Sequence, residues 1–359
     1  MHPSLLTFFQ RYPITEAPFM HAMLQDWSRT RPLEGLKVLH HVPVVTNTLL
    51  KIACLHAAGA DVTVTNPDSF VLAQAEAVDA LNQAGIRYVT DLTTLKNEPF
   101  DIFFDCGGQL YQALGAPKMG VIELTGSGDE YYRSLSSLPI AVISIDRTLT
   151  KQLETVFGCA KGVGLAMTKL GIHDYARKSW MVFGFGKMGR GISYLCDSNQ
   201  IPITVVDRDP NQCLQAEMLG LSAIDANDLN QLARLSAVSD IVITATGVKH
   251  ALLQYPRTWF KDKILANVGV YDEYGPLFAA SDVLNNKLPI NFVLADPTPM
   301  PYIDPEFYIH NVVALQLMQK SLSPGVHAPP NVVDEGIIER WCSLHGSSRE
   351  IMDKWFIKY

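Results

Sequence analysis

The sequence predicts an α/β protein built from two doubly wound parallel-sheet domains, with a C-terminal segment that crosses back to the first domain. Two observations lead to this prediction. Short apolar strands alternate with helical stretches along the chain, and most of these strands end in Asn, Asp, Gly or Thr. In such sheets the polar strand ends gather at the carboxyl edge, where ligands bind. The 359 residues, 48% of them hydrophobic, suffice for two domains with separate cores.

The first domain is predicted over residues 1–150 together with 307–345. A lead of irregular or helical chain comes first, over residues 1–31. Apolar runs of strand length then alternate with stretches that favour helices. The predicted strands are 36–41, 61–65, 87–89, 101–105, 120–123 and 141–146, and the predicted helices between them include 46–58 and 71–84. This alternation indicates parallel strand pairing, because a parallel connection needs a crossover segment.

A helical stretch over residues 148–170 leads into the second domain, predicted over residues 155–305. Its predicted strands are 179–183, 203–207, 240–244, 264–269 and 291–296, with a helix at 211–219. A proline-rich link at 297–305 and a helix at 306–320 then return the chain to the first domain. Residues 346–359 remain as a C-terminal tail.

Residues 179–207 of the second domain are predicted to form a strand, a glycine turn, a helix and a second strand that ends in an acid. Gly184 makes the tight turn, Gly186 lets the backbone approach a pyrophosphate, and Gly189 lets the helix pack on the strand. The helix N-terminus offers N–H groups to the phosphates. Asp207 accepts hydrogen bonds from ribose hydroxyls and repels a 2′-phosphate, so the pattern predicts NAD over NADP; the adjacent Arg208 favours the opposite. The alternative is a packed glycine turn without a ligand.

Composition and charge argue against several classes of function. A net charge of −7 does not suit a nucleic-acid or anionic-membrane partner. No stretch of about 18 apolar residues is present, and residues 1–30 lack the layout of a signal peptide. The six cysteines are scattered without a CxxC pair, which is typical of reduced thiols in a cytoplasmic protein.

The order of elements and several segments resemble the S-adenosylhomocysteine hydrolase family from about Gly35 onward. The matching segments are 35–38, 59–62, 105–108, Thr150-Lys151, 157–159, the glycine turn, 207–210, Thr246-Gly247, Asn267-Val268-Gly269, 325–327 and Asp334-Glu335. The resemblance implies that bound NAD⁺ oxidises a ribose 3′-hydroxyl, that homocysteine leaves and water adds, and that the ketone is then reduced again. The match is strongest in the second domain.

The resemblance also implies roles for individual residues. Lys151 matches the family's ribose-side lysine, and Glu154 and Thr155 match its following Asp and Asn after a one-residue deletion. On a helix Lys151 and Glu154 share one face, so a catalytic pair with a hydroxyl between them and a solvated ion pair are both possible. Thr125 and Ser127 match threonines that reach the cofactor from the first domain. The implied cofactor residues are Thr125, Gly126, Ser127, Thr155, Gly184, Gly186, Lys187, Met188, Gly189, Asp207, Thr246, Gly247, Asn267, Val268 and Gly269.

Departures from the family cluster in its substrate pocket. Family histidines, acids and a threonine are replaced at Pro43, Val45, Asn47, Cys106, Leu124 and Val270. A shorter proline-rich stretch at 296–305 replaces the family's loop after the last strand. Each lost proton-transfer group is worth about 10²–10⁴-fold in rate. Efficient hydrolysis of S-adenosylhomocysteine is therefore not expected.

Three classes of function stay open. The first is an NAD-dependent enzyme that oxidises a hydroxyl of an altered small-molecule substrate. The second is a weak S-adenosylhomocysteine hydrolase, and the third is a non-catalytic NAD-binding regulatory or assembly protein. The retained Lys151 and Glu154 favour the first, whereas loss of the other proton-transfer groups favours the third. A homo-oligomer (dimer or tetramer) is expected, without a nucleic-acid or membrane partner.

Three further features each allow two interpretations. His40-His41 lies at a strand tip as a candidate base, but no metal site is predicted because no acidic cluster accompanies it. Cys106 is either a nucleophile or a small buried residue in place of an acid. The aromatic tail at 354–359 packs on its own subunit or a dimer mate, or reaches a neighbouring subunit's NAD as in the family.

Overall fold

The strands form two separate parallel sheets, which confirms the predicted fold class. The computed structural model describes residues 2–67, 71–319 and 322–358. The chain divides into two compact units. Unit 1 comprises Met1–Lys151 and Met300–Arg349, and unit 2 comprises Gln152–Pro299 and Glu350–Lys358. Residues 300–349 thus return to the first unit, and residues 350–358 belong to the second.

Unit 1 contains a seven-stranded sheet in the order β12-β6-β5-β4-β1-β2-β3. Its strands are β1 (Lys37–His41), β2 (Asp61–Thr65), β3 (Arg87–Val89), β4 (Ile102–Asp105), β5 (Gly120–Glu123), β6 (Ala141–Ser144) and β12 (Gly325–His327). Its helices are α1 (Pro3–Arg11), α2 (Pro18–Thr30), α3 (Thr48–Ala57), α4 (Ala75–Gln83), α5 (Gln109–Leu114), α6 (Gly126–Ser134), α7 (Leu149–Gln152), α12 (Met300–Val312), α13 (Ala314–Met318) and α14 (Asn331–His345). The strand order reverses between β1 and β4, and such a switch point is where ligands bind in these sheets.

Unit 2 contains a five-stranded sheet in the order β11-β10-β7-β8-β9. Its strands are β7 (Trp180–Phe183), β8 (Ile203–Asp207), β9 (Ser222–Asp225), β10 (Ile241–Thr244) and β11 (Ile264–Asn267). Its helices are α8 (Cys159–Lys169), α9 (Lys187–Ser198), α10 (Pro210–Met218), α11 (Leu229–Val238) and α15 (Arg349–Trp355), with a π-helical turn at Leu153–Gly158. The order reverses between β7 and β10, so the glycine turn after β7 lies at the switch point.

The structure corrects two predicted elements at the end of unit 2. Residues 291–296 do not form a strand, because Ile290–Val293 is a 3₁₀ turn. Its apolar side chains, Ile290 above all, enter the same core as β7 and β10, which gives a strand-like pattern to a buried turn. The link predicted at 297–305 is also wrong in part, since α12 begins at Met300 and contains Pro305. The predicted helix end at residue 320 lies outside the described residues.

Helix α12 carries polar side chains that are buried, including Asp304 and Asn311, whereas the buried face of a helix is usually apolar. The Asp304 carboxylate accepts hydrogen bonds from the backbone N–H groups of Phe19 and Met20 at the start of α2, at 2.8 and 2.9 Å. Farther along, the Asn311 side chain accepts a 2.7 Å hydrogen bond from the buried Lys51 ammonium group. These contacts fix α12 against α2 and α3.

Asp304 predicts a measurable pH dependence of stability. Burial raises the pKa of Asp304 to about 7, so the folded state retains a proton that the unfolded chain releases. The stabilisation of the folded state by protonation of Asp304 is therefore fully present below the unfolded pKa of 3.8, and it is lost as the pH rises through about 7. Urea unfolding should show that wild type loses stability relative to Asp304→Asn over this range, by at most about 1.4 kcal/mol per pH unit. The exposed Asp26→Asn is the control, and parallel pH profiles for wild type and Asp304→Asn would contradict the expectation.

Candidate functional site

The turn after β7 has a backbone that only glycine fits at two positions. Gly184 has φ +96°, and a Cβ there would lie 2.5 Å from the carbonyl oxygen of Ala245. A Cβ at Gly189 would lie 1.9 Å from the carbonyl oxygen of Gly184. The first turn of α9 therefore sits directly against the end of β7. This is the close helix–strand approach that a dinucleotide-binding turn requires.

Gly186 has a different role, because it is not crowded by the protein itself. It is the N-cap of α9, and a Cβ built on it meets no atom within 4 Å. Within the described part of the chain, no side chain caps this helix end. Lys187 and Met188 form its first turn and are half-buried. The exposed helix N-terminus and the open space at Gly186 fit a bound pyrophosphate.

Asp207 lies at the end of β8, beside the glycine turn. Its carboxylate accepts hydrogen bonds from the backbone N–H groups of Phe185 and Asp209, at 2.7 and 2.9 Å. These contacts hold the acid at the position where a dinucleotide's adenosine ribose binds in this type of fold. Arg208 beside it is exposed.

Replacing Asp207 by alanine should weaken NAD binding and reduce the preference over NADP. The change removes a charged hydrogen-bond acceptor, worth about 1.5–3 kcal/mol, and the negative charge that repels a 2′-phosphate. Calorimetric titration with both cofactors measures the two affinities. Asp197→Ala, an exposed acid at the far end of α9, is the matched control. A wild-type protein that binds NADP more tightly than NAD would contradict the role of Asp207.

The turns after β10 and β11 are held by a residue that sequence reasoning missed. The buried Glu273 carboxylate accepts hydrogen bonds from the Thr246 backbone N–H and hydroxyl and from the Gly247 N–H, at 2.7–2.9 Å. Burial raises the pKa of Glu273. A Cβ at Gly269 would lie 2.1 Å from the same carboxylate. Glu273 thus shapes the two turns that were predicted to meet the cofactor.

Asn267 has a structural task within unit 2. Its side-chain oxygen accepts a 3.0 Å hydrogen bond from the Thr244 hydroxyl, and its amide nitrogen donates to the carbonyls of Gly269, Tyr271 and Lys287 at 2.8–3.1 Å. The side chain is fully buried and used in these contacts. The cofactor contacts predicted here would therefore come from the backbone around Val268 and Gly269.

In unit 1, the loop predicted to reach the cofactor is organised by a second buried acid. Thr125 caps α6, with Gly126 as the first helical residue and Ser127 exposed. The Glu123 carboxylate accepts hydrogen bonds from the Thr125 N–H and hydroxyl at 2.8 and 2.7 Å, and others from Gly107 and Gly108. Burial and the nearby Asp105 raise the pKa of Glu123 to about 8. The role of Thr125 and Ser127 toward the cofactor stays a prediction.

Cys106 lies at the switch point of unit 1, directly after β4. Burial raises the pKa of its thiol well above the usual range, and the carboxylates of Glu123 and Asp105 raise it further. A thiol with a raised pKa carries little thiolate at neutral pH and is a poor nucleophile. This favours the interpretation of Cys106 as a small residue that replaces an acid.

Lys151 is held in place from two sides within unit 1. The Asp334 carboxylate on α14 accepts hydrogen bonds from the Leu149 and Thr150 backbone N–H groups, at 2.6 and 2.9 Å, and so caps α7. The Lys151 ammonium group donates a 2.9 Å hydrogen bond to Glu306 on α12. Their side chains are only 12% and 2% exposed. Sequence reasoning missed Glu306, because its partner Lys151 lies 155 residues away in the chain.

Glu154 and Thr155 lie in the π-helical turn of unit 2, and both are buried. The Glu154 carboxylate accepts hydrogen bonds from the Thr298 hydroxyl at 2.9 Å and from the Cys159 thiol at 3.0 Å. π-Helical turns occur frequently at functional sites. The catalytic role of Glu154 remains a prediction.

The two histidines at the end of β1 lie in different surroundings. The His41 ring is hydrogen-bonded on both sides, to Thr65 at 2.6 Å and Gln109 at 3.0 Å. His40 is fully buried, and burial lowers its pKa well below the usual range. Over the described ranges, no group of three His, Cys, Asp or Glu residues is arranged to hold a metal ion.

The C-terminal aromatic segment packs on its own unit. The Trp355 ring lies 5.5 Å from that of Tyr194, and the Phe356 ring lies 5.7 Å from that of Phe157. Both Trp355 and Phe356 are buried. No helix in the described part of the chain is long and apolar enough to cross a membrane.

Comparisons with known proteins agree with this geometry. Residues 155–277 match the family model of the S-adenosyl-L-homocysteine hydrolase NAD-binding domain. An adenosylhomocysteinase of Thermotoga maritima is 23% identical over 371 residues, covering 89% of this chain and 90% of its own. An S-inosyl-L-homocysteine hydrolase of Methanosarcina mazei is 24% identical over 364 residues, covering 88% and 87%.

One similar solved structure is that of a dipicolinate synthase polypeptide from Bacillus halodurans. It is 11% identical, covers 80% of this chain and 99% of its own, and has a TM-score of 0.48. A similarity this distant supports no functional argument. The domain match assigns an NAD-binding domain to unit 2, and the relatives show that the chain resembles adenosylhomocysteinases at low identity over most of its length.

Proposed function

We propose that this protein is an NAD-dependent enzyme that oxidises a hydroxyl of a small molecule other than S-adenosylhomocysteine. The observation that carries the proposal is the buried ion pair of Lys151 and Glu306 at 2.9 Å. Removing two charges from water costs several kcal/mol each, and apolar replacements of such pairs are often neutral or stabilising. Stability alone is therefore a weak reason to keep this pair, and a role toward a substrate is a better one.

The residues of unit 2 would hold NAD at the glycine turn. Gly186 and the first turn of α9 would bind the pyrophosphate, and Asp207 would bind the adenosine ribose. When bound, NAD⁺ accepts a hydride from the carbon that carries the hydroxyl. The Lys151 ammonium group would donate a hydrogen bond to the substrate oxygen and stabilise the negative charge that develops there as the hydroxyl loses its proton. Glu154 is the second predicted catalytic residue.

The replaced positions support a substrate that differs from S-adenosylhomocysteine. Leu124 and Val45 are buried apolar side chains where the family has a carboxylate and a hydroxyl, and Cys106 has a raised pKa. Leu124 and Val45 therefore cannot make the side-chain hydrogen bonds that a carboxylate and a hydroxyl would make at these positions. By its name, the Methanosarcina mazei relative acts on S-inosyl-L-homocysteine, whose nucleoside differs from that of S-adenosylhomocysteine. A homocysteine thioether of an altered nucleoside is therefore one substrate class to include.

Side-by-side hydrolysis assays with the Thermotoga maritima adenosylhomocysteinase test the altered substrate. We expect this protein to release homocysteine from S-adenosylhomocysteine at least about 10²-fold more slowly, because proton-transfer groups are replaced. S-Inosylhomocysteine, nucleosides, polyols and hydroxy acids complete the panel, with thermal shift in the presence of NAD as the binding measurement. Comparable rates for the two proteins on S-adenosylhomocysteine would contradict the proposal. A panel without any binding would support a non-catalytic NAD-binding protein instead.

A further inference from the structure

Lys151 and Glu306 form a pair whose two members are both rigidly positioned. The start of α7, which carries Lys151, is capped by Asp334. Helix α12, which carries Glu306, is fixed by the contacts of Asp304 and Asn311. The 2.9 Å distance between Lys151 Nζ and Glu306 Oε1 is therefore set by the packing of unit 1. Such a fixed contact is the geometry that direct proton exchange between two groups requires.

Other ionisable groups also act on the neighbourhood of Lys151 and Glu306. Burial lowers the pKa of Lys51 on α3 and of His310 on α12 well below their usual ranges. Burial raises the pKa of the Cys106 thiol, on which the charges of both Lys151 and Glu306 act. Two acids at this sheet edge, Asp105 and Glu123, accept hydrogen bonds from the turn after β4.

We propose that Glu306 is the final acceptor of the substrate's hydroxyl proton and receives it through Lys151. This proposal rests on the proposed function. An ammonium group accepts a proton only if it passes one of its own to another base. Lys151 Nζ first releases one of its protons to Glu306 Oε1, and the nitrogen lone pair left by that N–H bond then takes the substrate proton as the O–H bond breaks. With bound NAD⁺ as the hydride acceptor, the products would be a carbonyl compound, NADH and protonated Glu306, with Lys151 again an ammonium group.

The relay makes Glu306 a positioning and proton-accepting residue that acts through Lys151. An arginine at position 151 would keep the ion pair, but its guanidinium group does not lose a proton in this pH range. Lys151→Arg is therefore expected to keep the contact with Glu306 and lose proton transfer. Glu306→Asp keeps the carboxylate and is expected to retain part of the rate, which makes it the conservative variant.

The first test needs no substrate. Competitive labelling of Lys151 with acetic anhydride across pH, read by mass spectrometry, reports the protonation of its amine. Because an opposite charge within about 4–6 Å favours the charged form, Glu306→Gln should move the labelling midpoint of Lys151 down by about 1–3 pH units. Glu98→Gln removes an exposed carboxylate that pairs with Arg87 and should leave the midpoint unchanged. An unchanged midpoint in Glu306→Gln would overturn the relay whatever the protein's function.

The second test uses the pH dependence of the reduction of bound NAD⁺. Glu306→Gln should lower the rate about 10²-fold or more and remove the acidic limb of the wild-type profile, where protonation of Glu306 blocks the relay. Glu306→Asp should retain part of the wild-type rate and part of the acidic limb. A wild-type rate and profile in Glu306→Gln would overturn the relay while the proposed function stands. Failure of every substrate to reduce the cofactor in wild type would overturn the proposed function and the relay together.

Discussion

Replacing Lys151 by methionine is expected to abolish the reduction of bound NAD⁺ by substrate while leaving NAD affinity nearly unchanged. The change removes the group that would contact the substrate oxygen, and methionine has a similar volume but no charge. Loss of such a proton-transfer and charge-stabilising group costs about 10²–10⁴-fold in rate. The glycine turn and Asp207, which would hold NAD, lie in unit 2 and are not altered. Stopped-flow absorbance of NADH and calorimetric titration with NAD measure the two effects.

Lys118→Met is the matched control for this prediction. Lys118 also pairs with an acid, Asp101 at 3.0 Å, but its side chain is 58% exposed. An exposed pair contributes at most about 1 kcal/mol, so this variant should keep the wild-type rate and affinity. Equal loss of activity in both variants would indicate a general effect on stability. Retained activity in Lys151→Met would exclude Lys151 from the chemistry.

Gly186→Ala is expected to weaken NAD binding without lowering stability, whereas Gly189→Ala is expected to lower the stability as well. A Cβ at Gly186 meets only open space in the protein, so the unfolding free energy should stay within about 0.5 kcal/mol of wild type. The same Cβ would occupy the space into which a pyrophosphate must come, so NAD affinity should fall at least about tenfold. A Cβ at Gly189 lies 1.9 Å from the Gly184 carbonyl oxygen and should cost about 1–3 kcal/mol of stability as well.

Urea unfolding without cofactor and calorimetric titration with NAD distinguish these two outcomes. Gly336→Ala is the control, because Gly336 lies within α14 and a Cβ there meets no atom within 4 Å. It should stabilise the helix by up to about 1 kcal/mol and leave NAD affinity unchanged. Wild-type NAD affinity in Gly186→Ala would show that the helix N-terminus is not the pyrophosphate site.

Most strands of both sheets could be predicted because each is a short apolar run that ends in a polar residue. The exceptions have physical reasons. Strand β9, Ser222–Asp225, lies at a sheet edge with partly exposed residues, so it lacks an apolar run. Strand β12, Gly325–His327, is three residues long and forms only after the chain has returned to unit 1. Residues 291–296 have the apolar content of a strand but form a buried turn and an irregular stretch.

The candidate site could be predicted only where its residues lie close together in the sequence and form a recognisable pattern. The glycine turn and Asp207 lie within one strand–helix–strand segment, and their spacing is readable from the sequence. Glu306 contacts Lys151 from 155 residues away, and Glu273 contacts Thr246 from 27 residues away. Nothing local marks either acid, because the fold alone brings each to its partner. The same holds for Asp334, whose capping of α7 spans 185 residues.

The central claim is tested most directly by the absorbance of cofactor bound to the purified protein. The protein is loaded with NAD⁺ and exposed to a panel of homocysteine thioethers, nucleosides, polyols and hydroxy acids. We expect NADH absorbance to rise with at least one hydroxyl compound in wild type, and with none in Lys151→Met. If no compound reduces the bound NAD⁺ and Lys151→Met gives the same spectra as wild type, the claim of hydroxyl oxidation is wrong and the protein binds NAD without using it in a redox step.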